Sequence, residues 1–348
     1  MSAPCFGLFY LAHLPMKRNA PTLHDVAKAA GVSTATVSKF LNGAQRFSPA
    51  VEATINSVVA QIGYRSNELA RSMITGETKT IGVAILDINN PHFTAVVKGA
   101  NRVAIDAGYT LLFVDTEENQ KRELQLLDTL SRRVDGLIIS SRMSETDIKT
   151  VIDFGKPLVF FGQLETAKLV SICSAGQQGG YMLAQHLVNQ GCKNIVYLGF
   201  SKSRWDRDRI AGVGECLESH GLSLKAYDAQ APFASEGERL CSLIMLGKDH
   251  PDAVICYNDL LAIGFMKEAQ SLGFKIPHDV AVAGFDNVPY AEYVSPSLTS
   301  VNLQSEGMGE LAMKKMLDLL AGRPTEEYTV LDPQLVLRES TSGRKRHA

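Results

Sequence analysis

Polar side chains suited to holding a small molecule gather where apolar, strand-like runs give way to helices. Asn90 and Phe93 follow the run TIGVAIL in DINNPHF, and Arg209 lies in SRWDRDRIAG. Asn258 and Asp259 lie in CYNDLLAIG, Asp286 in AGFDN and Gln304 in SVNLQ. In parallel sheets flanked by helices, the carboxyl ends of the strands border the crevice where ligands bind. Each residue also has a plainer role: Asn90 before Pro91, and Asn258 with Asp259, read as helix caps, and Asp286 as a turn former. Arg209 is harder to explain that way, because a charge placed there needs a partner.

A second group of side chains, GVSTATVSKFLN at 31–42, has different chemistry. A helix built only to pack would use long, strong helix formers on its outer face, whereas this one carries small hydroxyls and alanine. Thr22 caps a preceding helix, LHDVAKAA, with Leu23, Val26, Ala27 and Ala30 on one face; Gly31 stops it, and Ser33 caps the next helix, whose inward face is Val37, Phe40 and Leu41. Two short helices joined this way make a helix-turn-helix, whose second helix enters the major groove of DNA. Thr34 and Ala35 are small enough for close approach to base edges. Lys39, about a turn later, reaches a guanine edge, while Ser33, Thr36 and Ser38 are placed for phosphates. A tight helix pair in an α domain is the plainer alternative.

These groups need two kinds of scaffold. Ser48-Pro49 opens a third helix that runs to Gly63, and RSNELARSMITGETK reads as a hinge too polar to hold itself folded. From Thr80 onward apolar runs (TIGVAIL, TLLFVDT, GLIISS, PLVFFG, NIVYLGF, AVICYN, VAVAGFD) alternate with helices near 93–107, 120–132, 180–190 and 259–272. That alternation predicts an α/β fold with parallel sheets covered on both faces. Seven such runs exceed what one ordinary sheet needs, so two doubly wound lobes are expected. Charge divides along the same line: residues 16–79 hold eight Lys and Arg against four Asp and Glu, while the whole 348-residue chain is at −2. A basic module on an acidic body fits a nucleic-acid partner. The six cysteines show no metal-ligand spacing and read as core thiols of a cytoplasmic protein. No apolar run reaches the roughly 18 residues of a membrane span. Residues 1–16 read as a disordered extension or a start-site overcall.

TLHDVAKAAGVSTATVSKFLNG, the later GYRSNELARSM and then TIGVAILDINNPHF resemble the LacI/GalR family of bacterial repressors, over about 22–339. The resemblance implies a helix-turn-helix headpiece (17–65), a hinge (66–79) and a core like periplasmic sugar-binding proteins (80–341), before a basic tail (342–348). Lobe 1 takes about 80–174 and 303–332, lobe 2 about 175–302 and 333–341. By the same resemblance Thr34 and Ala35 are the base-reading positions, and Lys39 stands where Arg is usual, without the planar fork of that side chain. DNA contacts extend to Thr22, Asn42, Tyr64, Asn67, Ala70, Arg71 and Met73, with Met73 as a minor-groove wedge in a hinge that becomes helical over the operator's centre. The implied effector set is Asn90, Phe93 stacking on a sugar face, Gln163, Arg209, Asn258, Asp259, Asp286 and Gln304. Gly162 and Gln163 replace a common Asp-Arg pair, which lowers negative charge beside Arg209 and raises a sugar acid as an effector.

The expected protein is a repressor that binds a near-palindromic operator as a homodimer, its affinity set by a sugar or sugar acid between the lobes. No leucine heptads follow Glu339, which favours a dimer over a tetramer. An exported solute-binding protein conflicts with the helix-turn-helix. A sugar kinase or dehydrogenase would need a phosphate-cradling glycine loop, and ILDINNPHF has no glycine there; no nucleophile elbow or metal cluster appears either. No catalytic residue, metal or cofactor is expected.

Overall fold

The computed structural model describes residues 21–64, 75–164 and 169–343. The chain divides into two compact units, Met1–Glu77 and Thr78–Ala348.

In the first unit, α1 (Leu23–Ala30) begins at a capping box: the Thr22 hydroxyl accepts from the Asp25 amide, and the Asp25 carboxylate accepts from the Thr22 amide at 2.8 Å. Two donors that the first turn leaves unpaired are thereby satisfied. Gly31, at φ 68°, ends α1 in a left-handed turn that Cβ-bearing residues resist. Ser33 then caps α2 (Thr34–Leu41), and α3 (Pro49–Ile62) starts with proline in its first turn. Val26, Ala27, Val37, Ile55 and Val58 form the core of the three helices, with Leu23, Ala30, Phe40, Leu41 and Tyr64 packed round it. The apolar faces read from the sequence are the buried ones.

The second unit holds two six-stranded sheets. The first contains β1 (Thr80–Ile85), β2 (Thr110–Asp115), β3 (Gly136–Ile139), β4 (Leu158–Phe161), β5 (Val170–Ser174) and β11 (Tyr328–Leu331), ordered β11-β5-β4-β3-β1-β2. The second contains β6 (Ile195–Gly199), β7 (Lys225–Asp228), β8 (Ala253–Cys256), β9 (Ala281–Phe285), β10 (Thr299–Asn302) and β12 (Gln334–Val336), ordered β12-β10-β9-β8-β6-β7. Every pairing is parallel except β10 with β12. Helices α4 (Pro91–Asp106), α5 (Gln120–Ser131), α6 (Glu145–Ile152) and α12 (Ser305–Leu320) accompany the first sheet; α7 (Gly176–Asn189), α8 (Arg204–Ser219), α9 (Ala234–Met245), α10 (Asp259–Ser271) and the short α11 (Tyr290–Tyr293) accompany the second. The fully buried central strands β3, β4, β6, β8 and β9 explain why their sequences are continuous apolar runs.

The chain passes between the sheets three times, from β5 to α7, from β10 to α12 and from β11 to β12. Each lobe is thus completed by chain returning from the other, with its own apolar clusters. Helix pairing sets the position of Arg209. A Cβ built on Gly180 of α7 would stand 2.2 Å from the Arg209 carbonyl oxygen, and one on Gly212 of α8 would stand 1.9 Å from that of Gln177. Reciprocal glycines therefore let α7 and α8 touch backbone to backbone, with Arg209 at the contact.

Candidate DNA-reading face and interlobe crevice

On α2, Thr34, Ala35 and Lys39 are exposed while Val37 is fully buried beneath them. The Ser33 hydroxyl accepts from the Thr36 amide at 3.1 Å and lies 2.9 Å from the Thr36 hydroxyl, so these two already serve the helix terminus. Asn42 ends α2, its amide donating to the Ser38 hydroxyl at 3.4 Å. Thr22 is committed to its capping box, and the Tyr64 ring is half-buried against the three-helix core. The result is a small, uncharged tip followed by one cation on a rigid base, with hydroxyls along its edge. Asn67, Ala70, Arg71 and Met73, together with most of the expected hinge, the 1–16 extension and most of the basic tail, lie outside the described residues.

In the core unit the carboxyl ends of β1, β3, β6, β8 and β9 bring together Asn90, Phe93, Arg209, Asn258 and Asp286. Asn90 caps α4, its side chain accepting from the His92 amide at 3.0 Å. Phe93 is buried and meets His92 edge to face, 4.9 Å between centroids. Asn258 caps α10 by accepting from the Leu261 amide at 2.9 Å and donates to the Pro232 carbonyl at 3.1 Å, so capping and crevice placement coincide in one residue. The buried guanidinium of Arg209 donates to the Tyr257 carbonyl, lies 3.5 Å from an Asp286 carboxylate oxygen, and stands 4.7 Å from the centroids of both the Tyr257 and the Phe285 rings. Arg209 thus finds the partner its charge requires. Burial pushes the Asp286 carboxyl up to about 6, with Arg209 pulling it back. Asp286 also holds φ at 100°, a conformation costly without glycine and common at functional sites.

The other three expected residues are not among the side chains that meet there. Asp259 is completely buried behind the crevice, accepting from the Val288 amide at 2.8 Å and the Ser300 hydroxyl at 2.7 Å. Burial holds its carboxyl well above the usual range, and its bonds tie β9, β10 and α10 together. Gln304 sits on a crossing segment, donates to the Asp332 carbonyl at 2.7 Å and, with His92 and Asp286, borders an open hollow beside α12. Gln163 is exposed, 3.4 Å from the Tyr328 hydroxyl, and does not line either of the two crevice cavities described here.

Several crevice residues were absent from the sequence-based set. His92 is fully buried, its Nδ1 2.7 Å from the Ser305 hydroxyl, and burial with the nearby Arg209 and Arg142 charges lowers its pKa to about 3. Trp205, the one tryptophan of the chain, stands 5.8 Å from the His92 ring. Arg142, after β3, makes a two-pronged contact with Glu118 at 2.8 and 3.0 Å and donates to the Ser203 hydroxyl at 3.0 Å. Arg204 reaches the opposite way, donating to the Ser141 carbonyl at 3.1 Å and to that of Met143. These bonds join the two lobes across the crevice. His92, Ser174, Trp205, Asp208, Arg209, Leu303 and Met308 line a small cavity between the lobes. Among the described residues no group of His, Cys, Asp and Glu is arranged to hold a metal ion, and no helix is long and apolar enough to cross a membrane.

A crevice between two such lobes, on the same chain as a helix-turn-helix, has known relatives. Residues 22–67 match the model of bacterial regulatory proteins of the lacI family, and residues 184–341 match a periplasmic binding protein-like domain. The ribose operon repressor of Haemophilus influenzae is 31% identical, over 93% of this chain and 99% of that protein. The transcriptional repressor PurR of Photobacterium profundum is 29% identical, over 92% and 98%. The Lac repressor dimer bound to operator and the anti-inducer ONPF superposes with a TM-score of 0.85 at 24% identity, over 93% of this chain and 99% of that one. That likeness establishes the fold. With the helix-turn-helix, the two-lobed core and these full-length relatives in agreement, the chain belongs to the LacI family of DNA-binding bacterial transcriptional repressors.

Proposed function

We propose that this protein represses transcription as a homodimer that places two copies of α2 in successive major grooves of a near-palindromic operator, under control of a small carbohydrate-type effector bound between the lobes. The observation that carries the DNA reading is the Thr34–Ala35–Lys39 face, exposed on a helix whose underside is anchored by fully buried Val37. Thr34 and Ala35 act as base readers by hydroxyl and methyl contact, Lys39 as a guanine reader, and Ser33, Thr36, Ser38, Asn42, Thr22 and Tyr64 as backbone-positioning groups. Asn67, Ala70, Arg71 and Met73 complete the footprint through the minor groove. Two half-sites about one helical turn apart follow from the two-fold axis.

Support for the effector comes from the crevice, where Asn90, Phe93, Arg209, Asn258 and Asp286 converge with His92 and Trp205. The H. influenzae relative is a ribose operon repressor, and a CelR–cellobiose complex is 25% identical with a TM-score of 0.68. Selection of tight-binding duplexes from a random pool, followed by fluorescence anisotropy, tests the DNA reading. An inverted repeat is expected, and Lys39→Ala should lose about tenfold in affinity, chiefly at one base pair of each half-site. Equal affinity for selected and random duplexes at moderate salt would refute it.

A further inference from the structure

The chain enters the core through a joint held by more than strand pairing. Thr78 and Lys79 are the last residues before β1, and both are half-buried, as is Asp135, which precedes β3. One Asp135 carboxylate oxygen accepts from the Thr78 amide at 2.7 Å and the Thr78 hydroxyl at 2.9 Å; the other accepts from the Lys79 amide at 2.8 Å. The Asp135 amide in turn donates to the Thr80 carbonyl at 2.8 Å. Lys79 holds φ at 52°, a left-handed conformation that a residue with a Cβ keeps only where its surroundings dictate it. Its ammonium lies 3.3 Å from the Tyr109 hydroxyl and 4.8 Å from the centre of that ring, so the kink is also pinned to the residue before β2.

Lobe 2 supplies an internal comparison. Asp252, before β8, accepts from the Lys193 and Asn194 amides ahead of β6 at 2.7 and 2.9 Å, and its own amide donates to the Asn194 carbonyl at 2.7 Å. An aspartate ahead of the third strand thus fixes the start of the first in both lobes, and registering the strands accounts for it in lobe 2. There a single carboxylate oxygen carries both bonds, and the gripped residues follow α7 within the lobe. In lobe 1 both oxygens, a hydroxyl and a left-handed residue are engaged, and the gripped residues close the expected hinge. Amide bonds to an ionised carboxylate are of the strong, charge-assisted kind. We propose that Asp135 is a positioning residue for operator binding: it fixes the point at which each hinge leaves the core, so that two headpieces meet their half-sites at one spacing. A loose joint would leave backbone freedom at 78–79 for DNA to remove, and would let the headpieces reach half-sites over a wider range of separations. The inference rests on the operator-binding homodimer proposed above.

Fluorescence anisotropy would give the affinity of the full chain for a duplex selected from the random pool, for the same duplex with two base pairs added at its centre, and for a random duplex. Asp135→Asn keeps the size of the side chain but puts an amino group where an N–H now donates. It should bind the selected duplex about tenfold more weakly and the random duplex within about twofold of the parent, and should shrink the penalty for the added base pairs at least about threefold. Thr78→Val, which removes the hydroxyl bond and leaves the amides, should show a smaller change of the same kind. The double variant should be no worse than Asp135→Asn alone, because both act through one contact. Hydrogen exchange at the 78–79 amides should quicken in Asp135→Asn. Asp252→Asn, the same change in the matching clamp of lobe 2, should lower the melting temperature and leave the spacing penalty as it is. An unchanged spacing penalty in Asp135→Asn, unchanged exchange, or an equal loss on the random duplex overturns the proposal. So does a spacing penalty that Asp252→Asn shrinks as much, since both aspartates would then be anchors of the fold alone. Should Asp135→Asn fail to fold, Thr78→Val decides by the same readings. A parent without preference for the selected duplex strikes the repressor reading and this proposal with it; a parent that has the preference, beside an Asp135→Asn that keeps the full spacing penalty, strikes the proposal alone.

Discussion

At the scale of single residues, the crevice is held by groups whose protonation is fixed by burial. His92 is neutral in the folded protein, with a pKa near 3, but would take up a proton below about pH 6.5 once unfolded. A lowered folded pKa contributes stability that is present above the unfolded value and is lost as pH falls towards the folded one. Asp286 behaves oppositely: its pKa of about 6 means the folded state holds a proton that the unfolded state releases, so stability rises as pH drops from 6 towards 4. Between pH 7 and 5 the two nearly offset each other. His92→Asn removes one side of this balance. Relative to the parent, the variant should gain about 2 kcal/mol on moving from pH 7 to pH 5, a difference that urea unfolding at the two values measures. An unchanged difference would mean that His92 is protonated in the fold.

At the scale of elements, α8 offers a contrast within one helix. Gly212 lies where a Cβ would meet the Gln177 carbonyl oxygen at 1.9 Å, whereas a Cβ on Gly214, two residues on, would meet only the Leu224 side chain at 3.6 Å. Gly212→Ala should destabilise by about 1–3 kcal/mol or more by prising α8 from α7, and should disturb effector binding through Arg209. Gly214→Ala should be neutral or stabilising by up to about 1 kcal/mol, because alanine is the better helix former. Thermal melts of both variants check this, and equal effects would refute the close-contact account. The same contrast marks what the sequence conceals. Glycine in a helical stretch reads as a breaker, so the backbone contact at Gly180 and Gly212 has no signature in one chain.

The buried central strands and the headpiece helices were legible because their apolar spacing and caps coincide. β7, with the sequence KAYD, and the short β10, β11 and β12 carry no such run, since they lie at or near sheet edges and are polar or only a few residues long. Within the crevice, Asn90, Asn258 and Asp286 were legible because they end apolar strands. Asp259 shares that signal with Asn258 yet faces the lobe interior, because successive residues at a helix start point in different directions. Arg142 and Ser174 also end strands, but serine and arginine after a strand are ordinary surface residues, and only the other lobe's approach makes them otherwise.

At the scale of the whole molecule, the two lobes exchange arginines: Arg142 of the first donates to Ser203 of the second, and Arg204 of the second to the Ser141 and Met143 carbonyls of the first. Glu123, itself buried, accepts from the Ser141 hydroxyl and the Arg142 amide, so the receiving loop is preformed. Arg204 is half-buried, and removing its bonds to two carbonyls should raise the free energy of the closed arrangement by about 1 kcal/mol. Arg204→Ala is therefore expected to bind effector about fivefold more weakly and to scatter X-rays as a slightly larger particle when unliganded. A radius of gyration identical to the parent's, with unchanged effector affinity, would mean that the exchange does not hold the lobes. The same variant tests coupling to DNA. If the effector alters operator affinity by some factor, the operator must alter effector affinity by that same factor. Titrating effector with and without a saturating operator duplex should return the reciprocal of the factor seen by titrating operator with and without effector. Arg204→Ala should change that factor only if lobe closure is the element both ligands bias; an unaltered factor despite weaker effector binding would place the coupling outside the arginine exchange.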